Sequence, residues 1–302
     1  MNTRKIFSAI VVATVAVWGC VPQTTTSPAL MKKSIETRYQ LGTNYIAEGK
    51  TPEAIKELQE VLAIAPDNPD INHALGLAYQ QKGLYDKAIE QYTKALKLDP
   101  KLTEARNNLG TAFLAMGNFN QALAEFTECL KDNNYATPEK AAYNMAFAYY
   151  NKKDLDKAIE YYQKAVDLRK DNVNALYNLA FCQEEKKLYP AALENYLKVI
   201  HLDPSFKDAY FQVGEIYAQD KDKTRALLYL KKAADYEPSN MMARLQLGKV
   251  QLELGKRDEG LKNLGMVVAA DPNGDMGIEA RTLLEQHKKD DKFKGIPKVT
   301  VR

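Results

Sequence analysis

Few side chains in this sequence have the types and spacing that covalent chemistry demands. The three histidines, His73, His201 and His287, stand far apart without metal-ligand spacing. No His-Glu-x-x-His, no Gly-x-Ser-x-Gly and no phosphate-cradling glycine loop occurs. Acidic pairs such as Glu184-Glu185 and Asp290-Asp291 read as solvated faces rather than acid–base partners. Cys129 and Cys182 fall on different predicted helices, too distant for the ~5.5 Å Cα separation of a disulfide, and read as small core residues. What remains is recognition chemistry. Asn108, Asn144 and Asn178 recur at near-regular spacing, and a carboxamide offers donors and an acceptor that can hold an extended peptide backbone. The chain therefore reads as a non-enzymatic binder without cofactor, metal or small-molecule substrate.

Charge agrees with that class. The 302 residues carry 42 basic and 39 acidic side chains, a net +3. Removing Arg4 and Lys5, the only charges before Cys20, leaves 40 basic against 39 acidic residues, or +1. A chain so close to neutral has no global drive toward nucleic acid.

The asparagines are positioned by a repeat. Pro69 to Leu102 holds apolar residues three and four apart on both sides of Gly83, the pattern of two amphipathic helices joined by a tight turn. Moving on 34 residues finds it again, with Gly110, Phe113, Gly117, Ala122 and Phe126 in matching places. Seven units follow in phase: 35–68, 69–102, 103–136, 139–172, 173–206, 207–240 and 241–274. Their eighth residues are Gly42, Gly76, Gly110, Ala146, Ala180, Gly214 and Gly248. Their twentieth are Ala54, Ala88, Ala122, Ala158, Ala192, Ala226 and Gly260. Both columns are small because the two helices approach closely there, and a leucine would overpack by ~1–3 kcal/mol. Aromatics fill most eleventh positions, with Gln183 and Gln251 as departures, and prolines close most units. A fixed period of this length predicts an all-α solenoid.

This pattern is identified as that of the tetratricopeptide repeats, covering Ile35 to Gly274 almost without gaps. The resemblance implies a right-handed superhelix whose concave groove is lined by the first helix of each unit, through positions 2, 5, 9, 12 and 13. In units four to six these positions include an aromatic cluster: Tyr143, Phe147, Tyr150, Tyr177, Phe181 and Phe211. Units one to three offer a more polar lining, including Tyr39, Thr43, His73, Gln80, Asn107 and Thr111. Exposed aromatics make good anchors for a protein partner, although in such arrays neighbouring units also cover rings of this kind. The lysine clamp some relatives use for a terminal carboxylate is absent: position five carries Tyr39, His73, Asn107, Tyr143, Tyr177, Phe211 and Leu245. An extended or helical apolar segment fits better than an acidic C-terminus.

The ends and one junction depart from the repeat. Residues 1–19 read as a secretory signal, with basic Arg4 and Lys5 before an uncharged run from Ile6 to Trp18. As a helix that run spans ~20 Å, short of the ~30 Å hydrocarbon core. Val17-Trp18-Gly19-Cys20 resembles the lipobox of bacterial lipoproteins, which implies lipid on Cys20. Val21, where that family often has aspartate for inner-membrane retention, favours the outer membrane, facing the periplasm. Residues 20–34 read as a lipidated start and flexible tether. Between units three and four two residues are added, around Tyr135 to Glu139; they either alter the stacking there or form a neutral loop insertion. Residues 275–288 carry Met276, Ala280, Leu283, Leu284 and His287 on one helical face, the cap an open solenoid needs. Residues 289–302 read as a mobile tail whose end, Ile296 to Val301, either stays disordered or pairs with a partner's sheet edge.

Lipobox, tether and array together resemble the type IV pilus biogenesis and stability lipoproteins, or pilotins. The junction resembles theirs as well, through Tyr135, Pro138-Glu139 and Asn144 to Ala146, although this chain has one unit beyond their usual six. The resemblance implies that a secretin subunit binds the groove and that the lipid carries the pair to the outer membrane for secretin assembly. The alternatives are a general lipoprotein adaptor recruiting peptidoglycan hydrolases or outer-membrane assembly factors, and a periplasmic enzyme accessory.

Overall fold

The structure, a computed structural model, describes residues 27–294. The signal segment, Cys20 and residues 295–302 lie outside the described residues. Within them the chain is all-α, an α-solenoid of seven helix pairs and a final helix. The pairs are α1 (Pro28–Ala47) with α2 (Thr51–Ile64), α3 (Pro69–Gln81) with α4 (Tyr85–Leu98), and α5 (Thr103–Ala115) with α6 (Phe119–Lys131). Then come α7 (Pro138–Asn151) with α8 (Leu155–Leu168), α9 (Val173–Glu185) with α10 (Tyr189–Leu202), and α11 (Lys207–Gln219) with α12 (Lys223–Tyr236). The pair α13 (Met241–Glu253) and α14 (Arg257–Ala270) precedes α15 (Asp275–Lys294).

Each pair closes over one large side chain. Leu58, Tyr92, Phe126, Tyr162, Tyr196, Leu230 and Leu264, one per unit, are fully or almost fully buried. In the five units with glycine at the eighth position, the large side chain sits directly against it. A Cβ added at Gly110 would meet Phe126 Cε1 at 2.5 Å, and one at Gly76 would meet Tyr92 Cε1 at 2.5 Å. The small columns are therefore the complement of the large one. Burying each large side chain contributes about 1.5–3 kcal/mol.

First helices of successive units also touch one another, α1 on α3, α3 on α5, α5 on α7, α11 on α13 and α13 on α15. They form one row, and that row presents the groove face.

The turn inside each unit needs a residue with positive φ. Glycine supplies it at Gly49, Gly83, Gly117 and Gly255. In the three middle units the same place holds Lys153, Lys187 and Lys221, at φ of 64°, 61° and 60°. A side chain in this region costs ~1–2 kcal/mol, so units four to six carry strain the others avoid.

Two expectations need correction. The tether does not run to residue 34: α1 starts at Pro28, and Ser27 Oγ caps it by accepting from the Leu30 amide at 3.3 Å. Serine followed by proline is a helix start signal as well as linker punctuation, and here the cap wins. The final helix does not stop at 288, and the tail does not begin at 289, because α15 continues to Lys294. Its run of charged residues contains no breaker before Gly295. As a cap it behaves as expected: Ala280, Met276, Leu283 and Leu284 pack on Leu245, Leu264 and Val267. Of the two readings left open for the added residues between units three and four, the neutral insertion fits a stack that continues across them, with α6 packed on α7 and α5 touching α7. Tyr135, 7% exposed, fills the space they open, in a cluster with Phe126, Cys129, Ala141 and Met145.

Candidate peptide-binding groove

On α7, Tyr143, Phe147 and Tyr150 follow at helical spacing, so the three rings share one face. Tyr177 and Phe181 do the same on α9. Between the two helices lies a cavity of about 200 Å³ walled by Phe147, Tyr150, Tyr162, Tyr177, Asn178, Phe181 and Cys182. The rings divide by role. Phe147 is 42% exposed, and Tyr150 meets Phe181 edge-on with centroids 5.9 Å apart, leaving both available to an incoming side chain. Tyr143 and Tyr177 instead lean on the buried tyrosines of their own units, Tyr162 and Tyr196, each at 5.4 Å. Phe211 packs against the core cluster of units four to seven and lines neither cavity described here.

The asparagines are committed between repeats. Asn108 Nδ2 is 2.9 Å from His73 Nε2, Asn144 Nδ2 donates to Asn107 Oδ1 at 3.4 Å, and Asn178 Nδ2 donates to the Tyr143 hydroxyl at 2.7 Å. Each bond joins position six of one unit to position five of the unit before it. The expected ladder of amides waiting for a peptide backbone is thus first a set of rungs between units. Asn108 and Asn144 still line a second, polar cavity of about 370 Å³ together with Gln80, Asn107, Thr111, Tyr143, Lys140, Asn172 and Asn174. The two cavities adjoin at the Asn178–Tyr143 bond.

Electrostatics follow burial. Burial raises the Tyr143 phenol, and the bond from Asn178 partly offsets it. The Cys129 and Cys182 thiols are pushed up to about 12, chiefly by burial, and both are free and inert. Glu184, expected on a solvated face, is half-buried; it accepts from Tyr196 Oη at 2.9 Å, and burial raises its carboxyl. The residues the sequence pattern did not single out are Lys140, Asn172 and Asn174 in the polar cavity, and Glu184 and Glu215 beyond the aromatic one. Glu184 and Glu215 fall at groove positions twelve and nine, a signal masked by their ordinary surface composition. Among the described residues no group of three or more His, Cys, Asp or Glu is placed to hold a metal, and no helix is long and apolar enough to cross a membrane.

Comparison with known proteins agrees with this architecture. The family described as TPR repeat matches residues 42–83 and 81–117, and that described as Tetratricopeptide repeat matches 107–175 and 143–205. The family of anaphase-promoting complex, cyclosome, subunit 3 matches 185–267. No curated protein matches the chain in sequence. Among solved structures, one described as the functional characterization of Pseudomonas aeruginosa pilF superposes with a TM-score of 0.64 at 21% identity, covering 74% of this chain and 99% of that one. The C-terminal part of a TPR repeat-containing protein from Cytophaga hutchinsonii gives 0.65 at 18% identity, over 80% of this chain and 98% of its own. YrrB, described as a TPR protein with an unusual peptide-binding site, gives 0.52 at 22%, over 62% and 95%. At these identities the likeness is one of fold.

Proposed function

Since the chain belongs to the tetratricopeptide-repeat proteins, we propose that it is a lipid-anchored, pilotin-like scaffold that captures a protein segment in the groove of units four to six. Such repeats are generally non-enzymatic binders of proteins and peptides, and no enzymatic family matches. The observation that carries the proposal is the aromatic cavity between α7 and α9, walled by Phe147, Tyr150 and Phe181 on the row of first helices. Rings of this kind bury much area on binding at small rotamer cost.

The anchor reading rests on Val17 to Cys20, and Val21 after the cysteine supports the bacterial outer membrane, facing the periplasm, as the proposed location. Seven residues separate Cys20 from the first residue of α1, so a lipid there would hold the start of the array at most about 28 Å from the bilayer, the reach of that length of chain. The partner proposed is a secretin subunit. Support for it is the junction and lipobox resemblance, together with a structural neighbour that bears the name pilF.

The test has two arms. A Cys20→Ser chain leaves the outer-membrane fraction if Cys20 carries the lipid; unchanged fractionation rejects the anchor. Deletion of the protein removes secretin multimers and surface pili on the pilotin reading. If both persist, the general adaptor reading replaces it.

A further inference from the structure

The groove does not end at Phe181. One turn further along α9 stand Glu184 and Glu185, and on the next first helix, α11, stand Asp208 and Glu215. Phe181, Glu184 and Glu185 line a cavity of about 320 Å³ with Tyr189 and Gln212, so Phe181 is a wall shared with the aromatic cavity. Glu184 and Glu185 thus stand beside the shared ring, with Asp208 and Glu215 at positions two and nine of the next first helix.

None of the four is in an ion pair among the described residues, although such pairs occur all along the array. Glu215 Oε1 is buried and has no hydrogen-bond partner. Three cations lie nearby. Lys153 stands over the Tyr150 ring at 5.4 Å. Lys187 lines the acidic cavity, and Lys249 acts on Glu215 from α13 but spends its ammonium on Glu279 of α15. Four acids facing three lysines, one of them already paired, leave the end of the groove short of positive charge. Glu185 and Asp208 are exposed, but Glu184 and Glu215 are partly buried. A partly desolvated carboxylate without a countercharge is costly, and a cation supplied by a ligand removes that cost.

Resting on the groove reading above, we infer that the occupant is an extended protein segment carrying an aromatic or branched aliphatic side chain and, about three residues away, a lysine or arginine. The apolar side chain enters between Phe147, Tyr150 and Phe181. The cation reaches Glu184 and Glu215, its aliphatic stem lying over Phe181. The spacing follows from packed helices standing about 8–10 Å apart and an extended chain rising about 3.3 Å per residue. Acidic segments are repelled by the same four carboxylates.

Fluorescence anisotropy with three labelled peptides and the full chain tests this. The parent peptide is Gly-Ser-Leu-Phe-Ser-Gly-Arg-Lys-Ser-Gly; one variant has Glu-Glu for Arg-Lys, and the other has Ser-Ser for Leu-Phe. At 50 mM salt the parent binds at least tenfold tighter than the Glu-Glu peptide, and the gap narrows at 500 mM. The E184Q/E215Q double variant, checked by circular dichroism, reduces that preference to threefold or less. If the Glu-Glu peptide binds as well as the parent, the inference fails and the groove stands. If the Ser-Ser peptide binds as well as the parent, the groove reading itself fails. No binding of the parent at millimolar concentration overturns both.

Discussion

Asn178 Nδ2 donates to the Tyr143 hydroxyl at 2.7 Å, tying α9 to α7 across 35 residues of sequence. The bond fixes one wall of the aromatic cavity relative to the other, because both residues sit where the two cavities meet. Tyr143→Phe keeps the ring and removes the acceptor, and Asn178→Ala removes the donor. Each single change is expected to cost about 0.5–1.5 kcal/mol in urea unfolding. The double variant is expected to cost little more than either, a coupling of about 1 kcal/mol. Additive losses would mean that the bond does not hold the units together.

The two departures at the eleventh position come with partners. Gln183 is buried and accepts from Asn195 Nδ2 at 2.9 Å; Gln251 accepts from Asn263 Nδ2 at 2.8 Å. Units four and six use stacked tyrosines in the same two places, Tyr149 on Tyr161 and Tyr217 on Tyr229. Asn195→Leu leaves the Gln183 oxygen unpaired and is expected to lower stability by about 1–3 kcal/mol. The double change Gln183→Tyr with Asn195→Tyr recreates the stacked pair and recovers most of that loss in the same unfolding assay.

Lys153, Lys187 and Lys221 occupy turn conformations that glycine occupies in the other units. Lys187→Gly is expected to raise stability by about 0.5–1 kcal/mol, the relieved strain less the entropy glycine adds to the unfolded chain. Lys153→Gly gains less, because the Lys153 ammonium lies over the Tyr150 ring at 5.4 Å. The reverse change, Gly117→Lys, loses about the amount that Lys187→Gly gains. Thermal unfolding of the three variants checks the order.

Burial pushes the Glu215 carboxyl up to about 7, with Glu184 adding to the rise and Lys249 opposing it. A folded state that holds this proton more tightly than the unfolded chain loses stability as pH rises from about 4.5 through 7. Glu215→Gln removes that dependence. The variant is expected to match the parent near pH 4.5 and to exceed it by about 1–2 kcal/mol at pH 8, a figure discounted for the solvent that reaches this partly exposed group. A constant difference across this range would place the carboxyl in water.

The sequence by itself determined the scaffold. The helix pairs, the two small columns and the fit of Gly110 against Phe126 repeat locally every 34 residues, and a local period is visible without knowing how units stack. Helical spacing also puts Phe147 and Tyr150 on one face of α7, and the stacking of units brings Phe181 of α9 to the same cavity. The start of α1 at Ser27-Pro28 was legible too, but the same residues suit a linker, and only the folded chain separates the two. What the tertiary structure decided was the pairing between units. Asn178 with Tyr143, Asn144 with Asn107 and Glu184 beside Glu215 join residues 31 to 37 apart. Whether an asparagine waits for a ligand or holds its neighbour, and whether a glutamate is solvated or orphaned, depends on the angle and distance at which one helix pair lies on the next. The stacking sets that geometry, and no single unit contains it.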